Sequence, residues 1–516
     1  MSEKILWIDD EINLLKPHIL FLEKRGYRVD TINNGADALN RIRGENHYSA
    51  ILLDENMPGI DGLETLESIK QIKPTLPVVM ITKSEEEYIM EDAIGSYITD
   101  YLIKPVNPNQ ILLSLKKIFE ARKIITEKMT IRYQQKFREI SIELMQVNDL
   151  ESWQELYRKL VFWELELEKT ADPELLKILE DQKHEANQQF FKFIKNNYCR
   201  WLHSTEGPVM SHNVFRQYIK PHLSNKTPTL LVLIDNFRYD QWKSIEPLLA
   251  PYYDLQEELL HYSILPSATS YVRNSFFAGL MPLEIEKRFP KYWRNDIDEG
   301  KKNDFEELFM HEQLKRLGLA HLKSEYYKIN TTDDEKRLYQ IFSQIANNDF
   351  TVIVCNIVDI LSHAKTDNHV VSQLIRDNET YRALTKNWFE HSFLLETIKK
   401  AAEAKIRLLF TTDHGTIFVT EPSKVIGDKE TNTNLRYKLG KNLNYNEKKV
   451  LVVHKPEEYF LPKLNVSSKY IFARENVFLA YPNNYNYYVK YYKNTYQHGG
   501  VSLEEMIVPF SIFEPK

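Results

Sequence analysis

A chain of 516 residues is too long for one hydrophobic core, since domains usually run about 100 to 200 residues, so two or three are expected. Its 43% hydrophobic and 27% charged residues are those of an ordinary folded protein, and a net charge of -6 excludes a broadly basic face for nucleic acid or membrane, though not a local basic groove. Cys199 and Cys355 lie far apart with no CxxC, which excludes a disulfide scaffold and a thiolate zinc site and points to a reducing compartment. MSEKILWIDDE enters a charged strand pattern without a signal-peptide core, and no window approaches the roughly 18 apolar residues of a membrane span. A cytoplasmic protein without membrane insertion is therefore expected.

From Lys4 to about Leu115, the short apolar runs KILWID, YRVDTIN, SAILLDEN, PVVMIT and DYLIKPV alternate with helix-length stretches, the pattern of a parallel sheet with a flavodoxin-like order. Asp9 and Asp10 end the first run, Asp54 the third, Thr82 the fourth and Lys104 the fifth, so all five converge at one sheet edge. Three carboxylates there repel one another unless they hold a hard cation such as Mg²⁺. The set resembles the receiver domain of two-component response regulators. That resemblance implies Asp54 as phosphoacceptor, with Asp9, Asp10, Asp54 and the Asn56 backbone carbonyl around Mg²⁺. Thr82 and Lys104 would contact phosphoryl oxygens, Tyr101 would be the switch aromatic, and a sensor histidine kinase would be the phosphodonor. AIGSYITDYL is longer than the usual connection before the fifth strand, which puts the familiar dimerisation face in question.

No glycine falls between Gly95 and Gly207, and no proline between Pro108 and Pro173. This stretch reads as helices. Ile118, Ile125, Met129, Tyr133, Phe137, Ile140, Leu144 and Val147 share one helical face; Trp153, Leu156, Leu160, Trp163 and Leu167 draw a second helix. Asp172 is placed to cap a third, with Pro173 at its first position. A small bundle is expected, serving either as a spacer or as a relay and dimerisation element.

After Pro228 come PTLLVLID, FTVIVCNIVD and IRLLFTTDHG, apolar runs ending in acidic or histidine residues, where ligands sit in open α/β sheets. Asp235 ends the first. Thr269 follows a turn at the start of a helical pattern, where N–H groups and the dipole favour an anion, and Arg273 lies one turn on, placed to clamp phosphate. Asp359 and His363 stand at i,i+4, Asp413 is followed by His414, and His498 comes late in YQHGGVSLEEMIVP. Mixed Asp and His ligands without Cys suit Zn²⁺, with Mn²⁺ next, and two such ions serve in-line phosphoryl displacement.

The order Asp, Thr, DxxxH, DH, H resembles the alkaline phosphatase superfamily, and IDNFRYDQW with HGGVSLEEMIVP is similar to its PglZ branch. The resemblance implies Asp235, Thr269, Asp413 and His414 around one zinc, Asp359, His363 and His498 around the other, Thr269 as nucleophile and Arg273 as phosphate clamp. Threonine nucleophiles are typical of phosphodiesterase members, so a nucleotide or oligonucleotide diester is the expected substrate. The tyrosines of AYPNNYNYYVKYYKNTY, interleaved with Lys490 and Lys493, are read either as a base-stacking surface or as half-buried strand residues, the packing reading being preferred.

The expected architecture is an α/β chain: a flavodoxin-like receiver (1–120), a helical bundle linker (121–204) and an alkaline-phosphatase-like α/β PglZ domain (205–516). The arrangement resembles the PorX group of response regulators, which implies regulation of type IX secretion. Phosphorylation would favour a homodimer and control the two-zinc site. In the alternative, the C-terminal domain recruits a sigma factor or secretion component without turnover. Direct DNA binding is disfavoured because no helix-turn-helix or basic recognition element stands out.

Overall fold

The computed structural model describes residues 3–44, 47–73, 76–83, 98–170, 172–224, 227–367, 369–428 and 431–516. The chain forms two compact units, Met1–Lys136 with Glu166–Leu175, and Phe137–Leu165 with Leu176–Lys516.

The first unit is built on β1 (Lys4–Ile8), β2 (Arg28–Ile32), β3 (Ala50–Asp54), β4 (Val78–Thr82) and β5 (Asp100–Ile103), all parallel in the order β2-β1-β3-β4-β5. This is the expected flavodoxin-like sheet. Its central strands are covered on both faces, which is why they read as unbroken apolar runs. Leu6, Ile8, Ile51, Leu53, Val78 and Met80 point into one core and Ile5, Trp7, Leu52, Val79 and Ile81 into the other. Helices Gly35–Arg43 and Gly62–Ile72 are N-capped by Asn34 and Asp61, whose side chains accept the N–H groups of Asp37 and Glu64. A Cβ at Gly62 would stand 2.3 Å from the Asp54 carbonyl oxygen, so only glycine lets this helix start beside the end of β3. The expected lengthened connection AIGSYITDYL spans residues 93–102, of which 93–97 lie outside the described residues.

The unpunctuated stretch is helical as expected, in Pro108–Gln146, Leu150–Glu168 and Pro173–Leu202. Asp172 Oδ1 accepts the N–H groups of Glu174 and Leu175, the expected cap. Tyr133, Ile140 and Leu144 of the first seam are buried, as are Trp153, Leu156, Leu160, Trp163 and Leu167 of the second. The Ile125 side chain lies outside the described residues.

In the second unit, β6 (Thr229–Ile234), β7 (Tyr253–Tyr262), β8 (Ser324–Ile329), β9 (Phe350–Cys355), β10 (Arg407–Thr412) and a late strand, Ile507–Pro515, form a sheet. β8, β9, β6 and β10 run parallel side by side, and the late strand lies antiparallel between β10 and β7. Between β10 and the late strand the chain lays down three small sheets, of which β11 (Ile417–Val419) paired with Thr495–Gln497 lies next to the site residues in sequence. The preferred reading of the tyrosine run as strand holds for Tyr496, buried on Thr495–Gln497, and is corrected for the rest: Tyr485–Tyr492 is a helix with no buried residue. Four aromatics at i,i+1 and i,i+4 spacing let one face pack while another stays in solvent, which a two-residue alternation does not describe.

Helices Leu150–Glu168 and Pro173–Leu202 meet the sheet elements of this unit through buried charge. Arg382 bonds Glu164 at 2.9 Å and also Asp240, Lys183 bonds Glu164 at 2.6 Å, and Arg238 grips Asp240 with two bonds of 2.8 and 2.6 Å. Burial raises the Glu164 carboxyl, but Lys183 and Arg382 outweigh it and hold the group well below its usual range. Breaking such a set leaves buried charge without its partner. Glu164→Ala is expected to destabilise the second unit by about 3 kcal/mol, whereas Lys159→Ala, whose pair with Glu143 is exposed, should cost under about 1 kcal/mol. Urea unfolding followed by tryptophan fluorescence measures both.

Candidate active site

The parallel strands of the second unit end on their chemistry. Asp235 follows β6 and Asp413 with His414 follows β10, and β6 and β10 are register neighbours, which brings the three side chains together. Carboxylate and imidazole ligand atoms of Asp235, Asp413 and His414 lie within 4.8 Å of one another, all buried. Asp359 and His363 stand one turn apart on the helix Ile357–Asp367 after β9 and meet His498, which follows Thr495–Gln497, within the same limit. His498 stacks on His414 with ring centroids 4.4 Å apart, so the two clusters adjoin.

Thr269 begins the helix Thr269–Ala278. Its Oγ1 lies 3.3 Å from Asp235 Oδ1 and 3.0 Å from His414 Nε2. His414 Nδ1 is 3.0 Å from the Gly415 carbonyl, an acceptor only, so Nδ1 carries the proton and Nε2 presents a lone pair to the site. Burial lowers the His414 pKa, which keeps the ring neutral. Burial and the neighbouring histidines push His498 lower still. Both rings are thus in the form that ligates a cation.

The carboxylates are in the opposite condition. Burial, then the charge of Asp235, raises Asp413 well above the carboxylate range, and burial with Asp235 also raises Asp359. Asp413 Oδ1 accepts the N–H groups of Asn236 and His414, whereas Oδ2 is buried with no hydrogen bond. A buried carboxylate oxygen facing a second carboxylate and a histidine lone pair is the donor set of a divalent cation, and oxygen and nitrogen without sulfur fit zinc.

Arg273, the expected phosphate clamp, lies among the carboxylates of the site. Nη1 donates to Asp235 Oδ2 at 2.9 Å and Asn356 Oδ1 at 2.6 Å, and Nε to Glu306 Oε1 at 2.8 Å. The guanidinium is buried and serves as counter-charge to the carboxylates because no other cation side chain reaches Asp235 among the described residues. Asn236 escaped the sequence reading. It sits at φ 59°, and its side-chain amide donates to Asp359 Oδ1 at 2.9 Å while its backbone N–H reaches Asp413, so one residue ties the two clusters. Its signal was the DN pair at a strand end, since asparagine tolerates the left-handed region better than most residues.

In the first unit, ligand atoms of Asp9, Asp10 and Asp54 also lie within 4.8 Å of one another. Lys104 Nζ is 2.9 Å from Asp54 Oδ1 and 3.3 Å from Asp9 Oδ2. Burial lifts the Asp54 carboxyl above its usual range against the pull of Lys104. The Thr82 hydroxyl donates to Glu55, Tyr101 is exposed on β5, and Asn56 is exposed two residues past Asp54.

Comparisons with known proteins match three stretches of the chain. A model described as the BREX system PglZ alkaline phosphatase-like domain matches residues 214–513, the PorX response regulator linker domain matches 123–202, and the response regulator receiver domain matches 5–116. The transcriptional regulatory protein SrrA of Staphylococcus aureus is 30% identical over 118 residues, 23% of this chain and 48% of SrrA. The chain thus spans about half the length of the curated relatives it matches. Among solved structures, the chemotaxis protein CheY4 of Vibrio cholerae is similar at 26% identity over 23% of this chain and 99% of that one, with a TM-score of 0.22. TrrA from Thermotoga maritima, solved in complex with Mg²⁺ and BeF, is similar at 29% identity over 23% and 99%, with a TM-score of 0.21. No helix among the described residues is long and apolar enough to cross a membrane.

Asparagine in place of Asp413 keeps the Oδ1 acceptor and removes the buried charge. In chelator-treated protein, Asp413→Asn is expected to melt at or above the parent's midpoint, and to lose the stabilisation that zinc gives the parent. Thermal melts with chelator and with zinc check both; a lower chelated midpoint would mean that the carboxylate is already compensated.

Proposed function

We propose a function for this chain on one premise: it belongs to the PglZ alkaline phosphatase-like family, and carries that domain behind a response regulator receiver and a PorX-type linker. It is a response regulator phosphorylated on Asp54 by a sensor histidine kinase, and its output is a two-zinc phosphodiesterase that acts on nucleotides or oligonucleotides. Its biological setting is the regulation of type IX secretion, with phosphorylation favouring a homodimer. The receiver binds Mg²⁺ through Asp9, Asp10, Asp54 and the Asn56 carbonyl.

The observation that carries this reading is the position of the Thr269 hydroxyl, at the start of a helix and within hydrogen-bond reach of Asp235 and His414 of the first ligand cluster. Asp235, Asp413 and His414 with Thr269 would hold one zinc, and Asp359, His363 and His498 the other. When bound there, the two ions would polarise the phosphoryl oxygens and lower the pKa of the threonine hydroxyl. The chain's own contribution is alignment. The Thr269 Oγ1 attacks phosphorus, its proton leaves toward the site's acceptors, and the leaving alkoxide departs on the opposite face as in-line geometry requires. Water then cleaves the phosphothreonine and restores the hydroxyl. His363 is the most exposed of the six carboxylate and histidine ligands, so the second cluster is the solvent side, where a leaving group and a water can exchange. Arg273 holds Asp235 in place and partly neutralises it, and would also clamp phosphate.

The test is hydrolysis of a chromogenic phosphodiester by the zinc-loaded full chain. Thr269→Ala should reduce kcat/KM by at least roughly 1,000-fold, removal of a covalent nucleophile costing up to about 10⁶-fold. Zinc uptake without turnover on varied diesters would overturn the hydrolase function and leave a phosphorylation-gated binding protein. For the coupling, a small-molecule phosphodonor should change both self-association and hydrolysis in the parent and neither in Asp54→Ala. A parent that responds in neither measurement has no such coupling.

A further inference from the structure

The tyrosine helix Tyr485–Tyr492 is only partly explained by packing. Tyr485, Val489 and Tyr492 recur at i, i+4 and i+7 and rest on Ile417, Val419, Phe478 and Ala480, which accounts for one face. Tyr487 and Tyr491 lie on another. Their rings are stacked, with centroids 6.0 Å apart and planes 13° apart, and Tyr487 is 63% exposed. Two large aromatic side chains held parallel in water form a surface with a use still to be found.

That surface is one wall of a groove of about 760 Å³, within the range of roughly 300–1,000 Å³ typical of ligand sites. Lys365, Arg376, Lys490 and Lys493 line it together with the two tyrosines, and no carboxylate is among its described lining residues. In a chain of net charge -6, four cations around one groove are a local feature and not a reflection of composition. Lys365 is not a mobile surface lysine. It is buried, and its ammonium is fixed 4.5 and 5.0 Å from the ring centroids of Phe418 and Tyr496.

The groove also shares its elements with the candidate active site. Lys365 lies two residues past His363 on Ile357–Asp367, about 3 Å further along the helix axis. Thr495, also in the lining, opens the strand that leads to His498. The groove and the second ligand cluster are thus carried by the same helix and the same strand, on different faces.

We propose that this groove is a subsite for single-stranded nucleic acid, in which Tyr487 and Tyr491 stack bases while Lys365, Arg376, Lys490 and Lys493 hold the backbone. Aromatic platforms set in a positively charged channel are how single strands are held without regard to sequence. As part of the catalytic machinery the groove rests on the hydrolase reading above: it would bind the nucleotides flanking the cleaved diester and give oligonucleotides an advantage over small diesters.

Binding can be measured apart from turnover, with the full-length Thr269→Ala protein and a fluorescent single-stranded oligonucleotide of about ten nucleotides, by anisotropy. Lys490→Glu with Lys493→Glu should weaken binding at least roughly tenfold and flatten its dependence on salt, because fewer counterions are released. Tyr487→Ala with Tyr491→Ala should weaken binding about tenfold and leave the salt slope unchanged, because stacking releases no counterions. All four side chains are on exposed positions, so the fold should tolerate both pairs. The proposal is overturned if either pair leaves the affinity unchanged. It is also overturned if a polyglutamate peptide of equal charge displaces the oligonucleotide as well as unlabelled oligonucleotide does, which would mark a general anion groove. Absence of diester hydrolysis by the parent would sink the hydrolase function instead, and the anisotropy result would stand by itself.

Discussion

A surplus of buried negative charge organises the second unit. Asp235, Asp413, Asp359 and Glu306 are gathered around β6, β9 and β10, and among the described residues the Lys and Arg side chains that meet them are Arg273 and Lys328. Burial lowers the pKa of His414 and His498, so these two rings add no charge. Four carboxylates against two cations leave a deficit that a low-dielectric interior makes expensive. The raised pKa of Asp413 and of Asp359 is the same deficit seen from the proton's side. Two neighbouring clusters of oxygen and nitrogen ligands, each near enough to close around one ion, are the arrangement that divalent cations relieve.

Holding such charges together requires a frame that does not give, and the frame is itself ionic. Arg436 and Glu505 are fully buried and joined by two hydrogen bonds of 3.1 and 2.7 Å. Glu505 Oε1 also accepts the N–H of Gly500, and its carbonyl accepts the N–H of Gly415. Gly415, next to His414, and Gly500, two residues past His498, are therefore pinned to one glutamate. A Cβ at Gly415 would stand 1.9 Å from the Glu504 carbonyl oxygen, so the HG pair after Asp413 reflects a backbone approach that no side chain permits.

Much of this was legible in the sequence because it is encoded by position at strand ends. A parallel strand buried on both faces reads as an apolar run, and the polar residue that terminates it marks the ligand edge; Asp9, Asp54, Asp235 and Asp413 all declare themselves this way. The i,i+4 pair Asp359 and His363 is equally visible, since one helical turn brings the two side chains together. Less visible were relations set by tertiary contact. Arg273 reads as a phosphate clamp from its place one turn after Thr269, while its bonds to Glu306 and Asn356, which come from distant segments, are set by the fold alone. Asn236 looks like a turn residue until the fold places Asp359 beside it. The tyrosine run fits a period of two by eye, yet its Tyr485, Val489 and Tyr492 face has the helical period, and tertiary packing on Phe478 and Val419 agrees with the helix.

The linker helix Pro173–Leu202 bears on the site more closely than a spacer would. Asn187 donates to Glu504 at 3.0 Å and accepts the N–H of Leu503 at 2.8 Å, and Lys183 lies 3.5 Å from Glu504. Leu503 and Glu504 belong to the segment whose next residue, Glu505, pins Gly415 and Gly500. Two hydrogen-bonded steps thus separate the linker helix from the backbone that carries His414 and His498. Lys183 also ends the chain of buried charges through Glu164, Arg382 and Asp240 to Arg238, which follows Asp235 by three residues. The helix therefore touches both halves of the candidate centre, the β6 end through charge and the histidine loops through Asn187. Packed, charge-paired contacts of this kind have few intermediate arrangements. A shift of the helix by a fraction of a turn would break these bonds together rather than bend them one by one, which makes the linker part of the site's own frame.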